Sequence, residues 1–301
     1  MIAALVVDCR CELGEGLLWS AERRAWLWTD IERSQLWMYE PELDHARHWS
    51  LPDRLGSFAL CSSGRLLLAL AKRLALADLD LDRADGRELP VTTVATVESD
   101  LPTTRTNDGR TDRAGNFVFG TMDEAADSKP IGSFYQYSAR HGLRQLPLGG
   151  IVTANSLCFS LDGRTIYYCD SRQRRIMTGR YDAESASVSD IREFVNFGDL
   201  AGGPDGSIVD ADGYLWNAGW GAAKVRRFSP DGTIDSEIDV PAKNVTCPAF
   251  GGPRLEELCV TTARRKMSPA ELEAMPDAGS VFGLVPDGVR GVTDALFNDR
   301  V

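Results

Sequence analysis

Six times along the chain one short pattern recurs: a turn with Asp or Gly, a run of aromatic and β-branched residues, a brief polar gap, and a second such run. The copies are residues 26–30 with 35–39, 65–69 with 74–78, 116–120 with 133–137, 165–169 with 175–181, 214–218 with 224–228, and 257–261 with 280–284. Their starts lie about 40 to 50 residues apart, the period of a four-stranded propeller blade. A lone four-stranded sheet leaves apolar faces and open edges, whereas blades stacked radially bury each face on a neighbour. Six copies use up the 301 residues. The expectation is therefore an all-β chain, a six-bladed β-propeller forming a single domain over residues 1–301, with a strand at residues 2–7 completing the sheet of the last copy. Two separate sandwiches of three repeats are the alternative, and no Pro/Gly/Ser-rich linker divides the middle to favour them. Helical signals are sparse: Ser268-Pro269 ahead of Ala270-Glu271-Leu272 predicts one short surface helix inside the last blade.

The formal net charge is −11, with acidic residues scattered and no basic block. That argues against nucleic acid or an anionic membrane surface as a partner and leaves cations and neutral small molecules. The opening residues 1–7 lack a basic region and meet Asp8 too early for a signal peptide, and no apolar run approaches spanning length, so a cytoplasmic protein with no membrane partner, monomeric or a weak homodimer, is expected. Seven cysteines without a Cys-x-x-Cys, most of them inside apolar runs, are expected as reduced, buried thiols, with Cys9-x-Cys11 the one pair close in sequence.

Propellers bind ligands where loops of different blades converge, so candidate residues are polar side chains at matched places in several repeats. Glu15 in Leu13-Gly14-Glu15-Gly16, Asn107 and Asp108 in Arg105-Thr106-Asn107-Asp108-Gly109, Asn155 in Ala154-Asn155-Ser156, and Asp205 in Gly203-Pro204-Asp205-Gly206 meet that condition. Each alone is an ordinary turn sequence. Their shared phase, about 10 to 15 residues ahead of the strand after the Asp/Gly turn in each blade, makes them a set. Asp205 is expected in a tight Pro/Gly bend that aims its carboxylate. Two carboxylates and two amide oxygens suit a hard divalent cation such as Ca²⁺, Mg²⁺ or Mn²⁺. Asp30, Asp162, Asp170 and Asp212 are assigned to turns and strand ends. Three scattered histidines give no His-x-x-x-His pair, there is no Gly-x-Ser-x-Gly elbow, and Gly219-Trp220-Gly221 joins two strands and opens no helix.

These residues carry a resemblance to the gluconolactonase family that includes regucalcin. It rests on Leu13-Gly14-Glu15-Gly16 with Trp19, Arg105 to Gly109, Gly120-Thr121-Met122, Ala154-Asn155-Ser156 with Ser160 to Gly163, Pro204-Asp205-Gly206 through Trp216, and Phe250-Gly251-Gly252-Pro253. The likeness runs nearly end to end and is nearest to bacterial sugar-acid lactonases. It implies a six-bladed propeller with one divalent metal ion (Ca²⁺, Zn²⁺, Mn²⁺ or Fe²⁺) hydrolysing a sugar lactone. By that likeness the metal ligands are Glu15, Asn155 and Asp205, with Asp205 also the base, while Arg105 and Asn107 contact substrate. Where animal members place a substrate-contacting Glu shortly after Gly-Thr-Met, this chain reads Asp123-Glu124-Ala125, with alanine at the aligned position and Glu124 beside it as the candidate. A non-catalytic, Ca²⁺-binding propeller is the competing expectation.

Overall fold

The computed structural model describes residues 1–81 and 84–300. Nearly all regular structure is β, in six four-stranded antiparallel sheets, the blades of a β-propeller. The chain divides into two compact units, Met1–His48 with Phe197–Thr293, and Trp49–Asn196 with Asp294–Val301, a boundary that falls inside one strand.

In the first unit one blade runs β2 (Gly14–Ser20), β3 (Ala25–Asp30), β4 (Gln35–Glu40), β5 (His45–Ser50). A second runs β18 (Gly203–Val209), β19 (Leu215–Trp220), β20 (Lys224–Phe228), β21 (Ile234–Asp239). The third is β22 (Asn244–Gly251), β23 (Glu257–Ala263), β24 (Val281–Leu284), and its outer strand is β1 (Ala4–Val7), antiparallel to β24. The amino-terminal segment thus supplies the fourth strand of the last blade, as the repeat count predicted. The short helix α1 (Pro269–Ala274) has Ser268 as its cap and a reciprocal bond from Glu271, so both ends of that first turn are satisfied.

The second unit holds β6 (Leu55–Leu60), β7 (Leu66–Leu70), β8 (Arg73–Ala77), β9 (Thr92–Thr96); then β10 (Thr104–Thr111), β11 (Phe117–Asp123), β12 (Phe134–Ser138), β13 (Gly142–Gln145); then β14 (Ala154–Phe159), β15 (Thr165–Asp170), β16 (Arg175–Asp182), β17 (Ser187–Asn196).

Turn chemistry explains the hairpin between first and second strands. Asp112 takes the backbone N–H of Ala114 and Asn116 on one oxygen, and Asp210 does the same for Asp212 and Tyr214, all at 2.9 Å. A buried carboxylate that satisfies two turn amides pins the bend. The second strands carry the core: Trp26, Trp28, Phe117, Phe119 and Trp216 are fully buried, and Trp216 meets Phe250 of the next blade edge-on. Trp19, Trp26, Trp28, Trp49 and Trp216 are buried packing residues. All seven cysteines are buried and free, Cys9 and Cys11 included. Among the described residues no helix is long and apolar enough to cross a membrane.

Candidate functional site

In each sheet the first strand of the blade loses register with its neighbour at one place. The breaks fall between Glu15 and Leu18, Leu55 and Ser57, Thr106 and Gly109, Asn155 and Cys158, Pro204 and Ser207, and Val245 and Pro248. A bulge leaves one residue unpaired, bends the strand and re-aims a side chain. Glu15, Asn107, Asp108, Asn155 and Asp205 all sit at or beside this irregularity. The matched phase of the candidates therefore has a physical cause. One expectation is corrected: these residues lie on strands, not loops, and Asp205 belongs to β18, the bend being at Ala201 and Gly202 just before it.

In three blades, polar side chains of the second and third strands hold the bulged first strand or its entry. Asp30, at the end of β3, accepts from the backbone N–H of Glu12 (2.8 Å) and Leu13 (3.1 Å), fixing the entry to Glu15. Asp170, at the end of β15, accepts from Val152 and Thr153 at 3.1 Å, fixing the entry to Asn155. In the Asp205 blade Arg226 donates to the Ala201 carbonyl (3.0 Å), and Asn217 donates to the carbonyls of Asp205 (3.1 Å) and Gly206 (3.3 Å). At the β18 bulge the carbonyls of Asp205 and Gly206 are thus satisfied by a side chain of the adjoining strand. Asp30 and Asp170 are at strand ends as expected, and each holds the entry to the preceding first strand of its own blade.

Within the second unit three neighbouring blades build a continuous relay. Arg54, just ahead of β6, donates from both terminal nitrogens to Glu124, at 2.7 and 2.6 Å. Glu124, just past β11, accepts from Arg105 Nε at 3.0 Å. Arg105 Nη1 donates to the Thr106 carbonyl (2.9 Å) and to Asn107 Oδ1 (2.7 Å). Asn107 Nδ2 donates to the Ala154 carbonyl (2.9 Å) and Asn155 Oδ1 (3.0 Å), and Asn155 Nδ2 donates to Ser171 Oγ at 2.8 Å. Arg105, Asn107, Glu124 and Asn155 are thus brought together. Arg105 is only 1 % exposed, so its charge sits beneath Glu124. Burial, which raises the Glu124 pKa, is outweighed by Arg54 and Arg105, leaving the carboxyl below its usual range. Next to Asn107, burial pushes Asp108 above the usual carboxylate range against the Leu157 N–H that it accepts and the nearby Arg110.

In the first unit Asp205 is buried and Glu15 half-buried, with Glu15 Oε2 accepting from the Gly16 N–H at 3.3 Å. Among the described residues no three His, Cys, Asp or Glu side chains gather into a metal-binding group, so a cation held by these residues depends on amide oxygens beside the carboxylates. Asn155 fits that demand. Ser171 takes its amide nitrogen, and Oδ1 has one of its two lone pairs committed to Asn107, so one oxygen lone pair is the donor Asn155 could offer a cation.

Sequence reasoning missed Arg54, Ser171, Asn217 and Arg226. Ser171 follows the strand-end Asp170, and that adjacency is the only signal that could have found it; Arg54 stands in no repeated position.

Carboxylate and amide side chains at the matched bulges of the first strands are the candidate small-molecule site. The chain belongs to the SMP-30/Gluconolactonase/LRE-like family, whose description matches residues 13–264. It is 42 % identical over 282 residues to the L-arabinolactonase of Azospirillum brasilense, covering 93 % of this chain and 90 % of that one. It is 32 % identical over 289 residues to the 6-deoxy-6-sulfogluconolactonase of Pseudomonas putida, covering 95 % and 94 %. The crystal structure of regucalcin from Agrobacterium tumefaciens, described as a calcium-binding protein, superposes with a TM-score of 0.90 at 31 % identity, over 99 % of this chain and 97 % of that one.

Proposed function

We propose that the chain hydrolyses a sugar lactone to its aldonic acid, with one divalent cation (Ca²⁺, Zn²⁺, Mn²⁺ or Fe²⁺) held by Glu15, Asn155 and Asp205. The observation that carries this reading is the Arg105–Asn107–Asn155 relay, sugar-binding side chains hydrogen-bonded to a candidate ligand. Its setting is a chain related to an L-arabinolactonase along almost its whole length. That likeness puts pentonolactones first and gluconolactones second in the substrate class.

When bound, a cation of this kind polarises an ester carbonyl and acidifies water. The chain's own residues do the rest. Asp205 takes a proton from water as the water oxygen attacks the lactone carbonyl carbon, the ring C–O bond breaks, and the ring oxygen leaves as a hydroxyl after taking up that proton. No covalent enzyme intermediate is required. Asn107, clamped by Arg105, the Ala154 carbonyl and Asn155, keeps an Oδ1 lone pair as a pre-set acceptor for a sugar hydroxyl, and Arg105 supplies positive charge behind it.

The likeness to a calcium-binding regucalcin favours a second reading, a Ca²⁺-binding propeller without turnover. One experiment separates them. Purified protein in weak buffer is given a panel of pentono- and gluconolactones while pH is followed. The hydrolase reading expects acid release above the spontaneous rate, arrested by chelator and restored by a divalent cation. Cation binding by calorimetry with no acid release on any lactone refutes it and leaves the second.

A further inference from the structure

We infer that Arg54 is a positioning residue that sets which lactones are accepted, acting through Glu124; this deepens the lactone-hydrolase reading and rests on it. Arg54, from the neighbouring blade, grips both oxygens of Glu124 in a two-pronged bond, 2.7 and 2.6 Å, while the buried Arg105 of Glu124's own blade donates to one of them. A planar guanidinium that meets a carboxylate in this way fixes its plane as well as its place. Exposure falls along the relay, with Arg54 at 31 %, Glu124 at 25 % and Arg105 at 1 %. Glu124 is therefore the most exposed acceptor of a chain that continues through the buried Arg105 to Asn107 and Asn155.

The ion pair has a consequence beyond stability. A pair this exposed contributes little to folding free energy. What it decides is conformation: with Arg54 removed, Glu124 keeps a single partner, recovers rotamer freedom, and uncovers the Arg105 guanidinium. Arg105 holds Asn107 from the other side, so the loosening is transmitted to the contact for the sugar. An acceptor held in one place discriminates more sharply between a ligand with a hydroxyl at that place and one without than does an acceptor free to move. The Glu124 carboxylate is pinned by two arginines, one from its own blade and one from the neighbouring blade. The ligand feature being read is a hydroxyl donor on a neutral polyhydroxylated lactone.

The test measures kcat and KM for a pentonolactone and its deoxy analogue, together with Tm, for wild type, Arg54→Ala, Arg54→Lys and Glu124→Gln. Arg54→Ala should raise KM for the hydroxylated lactone about tenfold, hold kcat within about threefold, and shrink the preference over the deoxy analogue by a similar factor. Glu124→Gln should reproduce this pattern. Arg54→Lys restores the charge without the fork, so it should leave selectivity lost, with Tm close to wild type in all three variants. An active wild type whose Arg54→Ala and Glu124→Gln variants keep KM and the preference overturns the inference alone, whatever Tm does. A wild type inert on every lactone overturns the hydrolase reading and this inference together.

Discussion

Replacing Gly120 by alanine tests whether the placement of β14 governs activity. Gly120 pairs with Phe134 across the sheet, and a methyl added to it would come 2.9 Å from two ring carbons of Phe134 and closer still to the Ala154 methyl on β14. Carbon atoms rest at about 3.5–4.0 Å, so Phe134 would have to retreat by roughly 0.6–1.1 Å and Ala154 by at least about 1 Å. Phe134 is fully buried in a packed core and has little room to give, so most of the shift falls on β14. Ala154 precedes Asn155, and its carbonyl is the acceptor for Asn107, so both ends of that contact move. Overpacking of this kind costs about 1–3 kcal/mol, less than the roughly 5–15 kcal/mol that holds a domain together, so the variant still folds. Displacement of a catalytic group by about 1 Å costs roughly a hundredfold in rate. The expected result is a fall in Tm of several degrees with a hundredfold loss of kcat/KM for lactone hydrolysis. Gly142→Ala is the control: its φ of +66° strains an alanine, yet no atom lies within 4 Å of the added methyl, so it should lower Tm without touching kcat/KM. A Gly120→Ala protein with lowered Tm and kcat/KM within threefold of wild type would refute the reasoning.

Three further outcomes are expected. Asp205→Ala should cut kcat on the best lactone by at least about a hundredfold with folding intact by circular dichroism, and near-normal turnover would remove it from the role of base. Dialysis against chelator should abolish acid release and shift Tm downward, with both recovered on adding a divalent cation; full activity in metal-free protein would end the cation proposal. Asp299 is buried, which alone would raise its pKa, but bonds from Ser63, Arg65 and Ser62 outweigh burial and lower it from the ordinary 3.8 to about 2. A depressed folded-state pKa stabilises the protein above pH 3.8 and stops doing so as pH falls through about 2. The Tm gap between wild type and Asp299→Asn should therefore be full at neutral pH and close across that acid interval; a gap independent of pH would show that the carboxylate's charge is not what counts.

The second and third strands of every blade were legible because burial on both sides demands aromatic and β-branched runs, as in Trp26-Leu27-Trp28 and Phe117-Val118-Phe119. The first strands were not, and the reason bears on function. Gly203-Pro204-Asp205-Gly206 has the composition of a turn, yet it pairs with β19 along its length apart from one bulge. Its glycine serves crowding: a methyl on Gly206 would lie 2.7 Å from the Thr246 carbonyl, and one on Gly56 of β6 2.6 Å from the Thr106 carbonyl. Where bulged first strands of adjacent blades approach this closely, Gly replaces the β-branched residues that mark a strand, and polar residues such as Asp205 and Asn155 occupy the re-aimed positions. The same crowding thus hides the strand from a propensity reading and creates the site. Arg54 was hidden for a different reason. It enters through a single side chain from the segment before β6, and neither period nor turn chemistry distinguishes such a residue from any exposed arginine. Residues that a repeat brings together announce themselves by phase, whereas residues that tune one member of the repeat become visible only through the partners they hold.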